Sequence, residues 1–434
     1  MVGLLSLAFG ATPLAWAPAP VDNPLKGLVP YAGERRRQFP YSMEFSYLPL
    51  SDLMKGPNRY DWTALERLLN DIASRGHQTV FRIFLEYPNR PNGLPDHLRE
   101  SGVQIVEWKD SDGTNRTPDY NDPRLRQALR QFISALGKRY DNDPRVVYIT
   151  AGLLGKWGEW HDYPRSELFA SKEVQREVMN AYAGAFRHTP VLLRYPAGAD
   201  DPVYAPNVTR GFGYHDDSFA FATLKTTRSE DGWFYMALLD RAKANDAWKT
   251  RPIGGEIRPE VWGRIFDPNP GQDAQDFDTC VRETHATWLM DTGMFGETPP
   301  SSERRRRAEA SVRRMGYEIT ATSVAITPGR VRLTLQNRGV APFYRNWPAE
   351  WGLLRNGKVI AARRSVRRQI MGILPGATAI WNERLVFGSV PKGQYTLGLR
   401  IPNPMKGGHP LGFANKDYER DAKGWLSLGE YRVR

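Results

Sequence analysis

The chain contains one cysteine, Cys280, so no disulfide can close within it and no thiolate cluster can hold zinc. Cys280 falls in an amphipathic stretch, Asp276 to Ala286, where a small buried apolar residue is expected. The seven histidines are scattered, with no His-x-x-x-His pair, which argues against a metal hydrolase. Asp267-Pro-Asn-Pro-Gly-Gln-Asp has Gly271 where a calcium loop needs a ligand, and no glutamate closes it. There is no phosphate-cradling glycine loop and no Gly-x-Ser-x-Gly elbow. No metal and no cofactor is expected. After the N-terminus no apolar run approaches the ~20 residues of a membrane-spanning helix, and no internal repeat occurs.

What remains is a chain of 434 residues, 41% hydrophobic and 25% charged, the composition of a folded globular protein with room for two domains. Residues Val2 to Ala17 are apolar and small, and Ala15-Trp16-Ala17 fits the small-x-small pattern before a cleavage site. A leader over 1–20 is expected, with export to the periplasm, cell surface or medium. The net charge of +12 favours anionic partners. Its densest run, Arg304 to Arg307, reads as a solvated helix face, and no nucleic-acid motif accompanies it. Nucleic acid is not an expected partner; carbohydrate, including acidic glycan, is.

Hydrophobic periodicity gives the architecture. Strands are expected near Asn23 to Tyr31, Met43 to Leu50, Thr79 to Leu85, Val146 to Ile149, Val191 to Leu193, Val208 to Tyr214, Pro252 to Glu256 and Thr287 to Met290. Amphipathic helices separate many of them, among them one opened by Pro123 that carries Leu125, Leu129, Phe132, Ile133 and Leu136. Alternating β and α segments of this number predict a (β/α)₈ TIM barrel over 21–314. A long Pro-, Asn- and Asp-rich loop is expected from Tyr87 to Asp122. After Tyr317 the period becomes two-fold (Val331, Leu333, Leu335; Tyr395, Leu397, Leu399), which predicts a C-terminal antiparallel β-sandwich over 315–434.

Two glutamates stand at strand ends of the barrel: Glu159 after the fourth, in Gly-Lys-Trp-Gly-Glu-Trp-His, and Glu256 on the seventh, in Ile-Gly-Gly-Glu-Ile-Arg. Carboxylates there converge over the barrel mouth, as a retaining glycoside hydrolase requires of its acid/base and nucleophile. Trp157, Trp160 and His161 crowd Glu159; indoles offer flat faces to sugar rings and desolvate a carboxyl, raising its pKa as an acid needs. Glu159 is therefore expected to be the acid/base. Arg258 is expected to hold Glu256 ionised as the nucleophile. Substrate-binding candidates from the other strand ends are Arg82 and Glu86, Arg194 with Tyr195, Tyr214, His215 and Asp216, and Trp288. Glu86 could also serve as the partner of an inverting pair.

Through Tyr60-Asp61-Trp62-Thr-Ala-Leu-Glu, through Tyr140-Asp141-Asn-Asp-Pro-Arg-Val and through the strand-four and strand-seven glutamates, the chain resembles the clan A, β-galactosidase-like glycoside hydrolases. Over nearly its whole length it looks like a bacterial family of paired domains of unknown function. Asn23-Pro-Leu-Lys-Gly, Gly155-Lys-Trp-Gly-Glu-Trp-His and Phe413-Ala-Asn-Lys are the shared signatures. The resemblance implies a glycosidase-like barrel with a C-terminal sandwich, Glu159 as acid/base and Glu256 as nucleophile. One position departs: the clan places Asn before the acid/base glutamate, where it binds the sugar 2-hydroxyl, and here Gly158 stands there. The rival expectation is a non-catalytic carbohydrate-binding or surface-assembly protein on the same barrel.

Overall fold

The computed structural model describes residues 10–33, 39–296, 298–420 and 423–433. Residues 1–9 of the expected leader lie outside that set. Eight parallel strands form the barrel: β1 (Gly27–Val29), β2 (Met43–Pro49), β3 (Gln78–Phe84), β4 (Val146–Thr150), β5 (Val191–Leu193), β6 (Gly213–Phe219), β7 (Ile253–Ile257) and β8 (Trp288–Met290). Their order is β1-β8-β7-β6-β5-β4-β3-β2. Tyr31 and Phe45 close the ring with a parallel bridge, in which Phe45 N–H donates to Pro30 O and Ala32 N–H to Phe45 O, 2.8 Å each. With no free edge, every strand can be short and still be fully paired.

Side chains alternate along each strand. Residues such as Phe81, Ile83 and Tyr214 face outward into the layer beneath the helices, and Val80, Tyr148, Leu192 and Trp288 fill the barrel interior. Trp288 stacks on Tyr148, with ring centroids 5.8 Å apart. Its space is made by Gly254, where a Cβ would lie 2.1 Å from the indole. The helix Pro123–Tyr140 starts as predicted, with Asp122 accepting from Arg124 N–H and Pro123 in the first turn.

Two expectations need correction. The sixth strand is not Val208 to Tyr214: Val208–Arg210 is a single 3₁₀ turn, Gly211 reverses the chain at φ +76°, and the strand runs Gly213–Phe219. The stretch from Tyr87 to Asp122 is not one open loop either. It holds a short helix, Asp96–Glu100, and a hairpin of Ile105–Asp110 with Gly113–Pro118.

After the helix Ser302–Arg314 come two antiparallel sheets. One contains Ile319–Thr327, Arg330–Asn337 and Thr378–Arg384, with Thr12–Pro13 added at its edge. The other contains Lys358–Gln369, Pro348–Arg355, Gly393–Arg400, Trp425–Val433 and Tyr418–Glu419. Trp351, Trp381 and Trp425 are core residues of this domain. The arginine-rich helix is a surface face, with Arg304 paired to Asp267 and Arg305 to Glu309. Cys280 is buried. No helix among the described residues is long and apolar enough to cross a membrane.

The sequence signatures at the two ends of the chain meet in space. Asn23 Nδ2 donates to Gly412 O while Gly412 N–H donates to Asn23 Oδ1. Asn415 accepts from Ala321 N–H and donates to Ala321 O and Ala15 O. Lys26 Nζ donates to Arg313 O and Tyr317 O, and burial brings its pKa down to about 7. Asn23 and Lys26 staple the barrel to the sandwich, and Asn415 fastens the N-terminal segment to the sandwich. Asn415→Ala strips partners from three backbone groups, and should cost roughly 2–4 kcal/mol of stability in denaturant unfolding. An unchanged midpoint would show that these three hydrogen bonds do not hold the segment.

Candidate active site

The C-terminal mouth of the barrel is lined by inward-facing residues at or near the ends of several strands. These are Tyr31 just after β1, Tyr47 on β2, Arg82 on β3, Arg194 just after β5, Asp217 on β6 and Glu256 on β7. Glu159 is delivered from the loop after β4. Carboxylate oxygens of Glu159, Asp217 and Glu256 all lie within 4.8 Å of one another. The two glutamates singled out in the sequence do converge.

The loop that carries Glu159 folds tightly because it contains glycine where the chain must pass close to its neighbours. At Gly152 a Cβ would sit 2.0 Å from Ile83 O, and Leu153 N–H bonds that same oxygen at 2.8 Å. Gly158 adopts φ +71°, with its Cβ position 3.0 Å from Gly152 Cα and 3.4 Å from Arg82 Cδ. This is the position where the clan A pattern has Asn. A side chain here would press on the arginine that reaches Glu159, so the residue type follows from close packing.

Two arginines organise the carboxylates. Arg82 is 1% exposed; its Nη1 donates to Glu159 Oε1 at 3.1 Å and to Tyr47 OH at 3.3 Å, its Nη2 to both Asp217 oxygens, and its Nε to Thr150 Oγ1. Arg194 Nη1 donates to Glu159 Oε2 at 2.5 Å and to Asp217 Oδ2 at 3.2 Å. His161 Nε2 lies 3.6 Å from Glu159 Oε2. His215 Nδ1 lies 3.0 Å from Asp217 Oδ1. Burial pushes both histidines below their ordinary pKa, so each is neutral at pH 7.

The surroundings set the two glutamates apart. Burial and the neighbouring Asp217 push the Glu159 carboxyl up, but Arg194, His161 and Arg82 outweigh them and hold it below its ordinary value. Glu256 has no hydrogen bond or ion pair to its carboxylate among the described residues. Burial, with Glu159 and Asp217 facing it, raises its pKa well above the carboxylate range despite the two arginines. Asp217 is held low, since Arg82, His215 and Arg194 overcome the effect of burial. Two guanidinium cations thus face two carboxylates that they hold low, while the third carboxyl is pushed up.

Other expected site residues are placed differently. Arg258 does not reach Glu256; its guanidinium is paired with Glu260 at 2.8 and 2.9 Å. Trp160 is a core residue, 3% exposed, with its Nε1–H on Ala151 O, so only Trp157 and His161 remain beside the mouth. Trp288 fills the barrel interior below the site. Tyr214 and Asp216 point outward, because alternation along β6 turns only His215 and Asp217 inward; Tyr214 OH bonds Asn207, and Asp216 accepts from Thr223 Oγ1. Asp217 was missed because the strand was placed too early, which ended it before the inward register reached this residue.

Glu86 belongs to a second, buried cluster. Thr117 and Tyr120 hydroxyls donate to it at 2.5 Å each, and it lies within hydrogen-bond reach of Asp162. Burial raises both acids, Asp162 to about 7. Beside it Lys156 is tied to Asp110 and Asp112 of the hairpin at 2.6 and 2.5 Å. The cluster fixes the hairpin to the Glu159 loop. A carboxyl whose folded pKa is raised contributes stability that is full below its unfolded value, 3.8 for Asp162, and is lost as pH rises through about 7. Asp162→Asn keeps a neutral group there, so its stability relative to the parent should increase steadily from pH 5 to pH 8. The difference is the informative quantity, since the buried histidines titrate in the opposite sense. A pH-independent difference in urea unfolding would contradict the raised pKa of Asp162.

No family model matches the chain, and no curated protein does. The solved structures to which it is similar include endo-glycoceramidase II from Rhodococcus sp. in its lactosyl-enzyme form. The two share 15% identity over 77% of this chain and 89% of that one, with a TM-score of 0.42. The catalytic domain of a beta-amylase from Paenibacillus polymyxa shares 9% identity over 67% and 99% of the two chains, TM-score 0.44. An endoglucanase from Pseudomonas stutzeri shares 9% over 68% and 97%, TM-score 0.39. These neighbours are glycosidases; the barrel assignment itself rests on the strand order and closure described above.

Proposed function

We infer that the chain is a glycoside hydrolase that cleaves an oligo- or polysaccharide with retention, through Glu159 and Glu256. The observation that carries this reading is the approach of their carboxylate oxygens to within 4.8 Å at the barrel mouth. Between whole carboxyl groups, retaining pairs stand roughly 5–5.5 Å apart and inverting pairs ~6.5–9.5 Å, and an approach this close of one oxygen from each favours the former. Tyr31, Tyr47, Tyr87, Trp157 and His161 surround the pair with partly exposed rings and hydroxyls suited to a sugar.

We assign the roles within the pair the other way round from the expectation drawn from the sequence. Glu159, ionised and oriented by two guanidinium groups, is the group poised to attack the anomeric carbon. Glu256, protonated and free of competing donors, is the group able to protonate the leaving oxygen and afterwards to activate water. Asp217 positions Arg82 and Arg194 rather than reacting. Because Asp217 also raises the pKa of Glu256, Asp217→Asn should move the basic limb of the pH–rate profile to lower pH. An unmoved limb would take the proton away from Glu256.

The test is release of reducing ends from a panel of bacterial and plant polysaccharides, with Glu159→Gln and Glu256→Gln run beside the parent. Release by the parent and by neither variant supports the hydrolase. Silence from the parent together with retained binding of one glycan supports the rival, a carbohydrate-binding barrel. One feature favours that rival: both oxygens of Glu159 are already occupied by arginine.

A further inference from the structure

At the opposite end of the barrel, where the strands begin, lies a cavity of about 280 Å³. It is formed by the segments that lead into β5, β6 and β7, and three guanidinium groups line it, those of Arg187, Arg210 and Arg251, beside His188 and Thr189. Phe186 and Phe212 supply an apolar floor, and no aspartate or glutamate lines it.

The cations are not neutralised. The guanidinium groups of Arg187 and Arg251 have no hydrogen bond or ion pair among the described residues. Arg210 donates only to neutral acceptors, Asn180 Oδ1 and Pro206 O. Asp141, the acid that touches this loop, is taken up by the backbone N–H groups of Arg187, His188 and Thr189. Arg345, reaching across from the sandwich side, adds a further cation by donating to His188 O. A second observation is independent of charge. Tyr182 also lines the cavity, is 1% exposed, and its hydroxyl has no hydrogen-bond partner among the described residues. The ring is buried while the hydroxyl oxygen is open to solvent, so it is free to donate to a group in the cavity.

We propose that this cavity binds a tetrahedral oxyanion, phosphate or sulfate, held by Arg187, Arg210 and Arg251 with the Tyr182 hydroxyl. Three guanidinium forks and a phenol donate from several directions, which suits the three or four oxygens of such a group better than the two of a carboxylate. The oxyanion is either a free ion or an ester on a glycan. A sulfated or phosphorylated glycan anchored here would lie on the face remote from the carboxylate mouth, so the site stands apart from the reading of that mouth.

Calorimetric titration of the full chain with sodium sulfate, sodium phosphate and sodium acetate, at an ionic strength fixed with sodium chloride, tests the site. Sulfate and phosphate should bind, and acetate at least about tenfold more weakly. The Arg187→Ala/Arg251→Ala variant, altered only at exposed side chains, should lose about tenfold or more in affinity, and Tyr182→Phe about fivefold, the value of one hydrogen bond. A sulfated disaccharide that binds tighter than sulfate, while its unsulfated parent does not bind, assigns the ester as ligand; equal affinity assigns the free ion. Sulfate binding no tighter than acetate, or unchanged in the double variant, overturns the proposal.

Discussion

Glu256→Gln is expected to keep turning over aryl glycosides whose leaving groups need no proton, while Glu159→Gln loses these substrates by at least about 10⁴-fold. The asymmetry follows from what each carboxyl supplies. A phenol with a low pKa departs without protonation, so removing the acid leaves the first step intact and slows the attack of water on the glycosyl-enzyme. On unactivated glycans the same variant should fall by roughly 10²–10⁴. Azide, which needs no base, should restore turnover of Glu256→Gln and give a glycosyl azide of retained configuration, because it attacks the covalent intermediate. An azide of inverted configuration from Glu256→Gln would return the nucleophile to Glu256 and the proton to Glu159, as expected from the sequence.

The second large effect is on stability. Arg82 is buried beneath the mouth and is the common partner of Glu159, Asp217, Tyr47 and Thr150. Arg82→Met removes one of two cations that hold two buried carboxylates, and leaves excess negative charge where water cannot reach it. Breaking a buried ion pair from one side costs about 3–5 kcal/mol, a large part of the 5–15 kcal/mol that typically holds a domain together. Arg82→Lys keeps the charge but cannot span acceptors lying in different directions, so it should recover only part of the loss. Glu159→Gln placed in the Arg82→Met background should restore stability, because it removes one unpaired charge. Urea unfolding of the three variants decides this; a loss below about 1 kcal/mol in Arg82→Met would show the network to be solvated rather than buried.

The barrel was legible because its signals are local. Val146 to Ile149 and Val191 to Leu193 are continuous apolar runs of the kind a strand buried on both faces requires, and the Pro123 helix carries its own start signal. The two glutamates that converge at the mouth were legible because strand-end glutamates beside glycine are a local pattern. The arginine clamp was not. Arg82 and Arg194 were named as site residues, but nothing in the sequence says that both converge on Glu159 instead of Glu256, since that depends on barrel curvature. Arg258, two residues from Glu256 along the chain, was the natural partner by sequence and turned to Glu260 instead. Asp217 was lost through a strand-end error of a few residues, enough in a two-residue period to exchange inward for outward positions. Trp160 and Trp288 illustrate a different limit: an indole that lines a cleft and one that fills a core look alike in sequence.

The most direct measurement of the central claim is to trap the glycosyl-enzyme with an activated 2-deoxy-2-fluoro glycoside and map the labelled residue by peptide mass spectrometry. The expected result is a single label on Glu159, lost in Glu159→Gln and retained in Glu256→Gln. A label on Glu256 would keep the retaining mechanism and reverse the roles. No label, with product of inverted configuration or no product from any activated glycoside, would contradict the retaining pair itself.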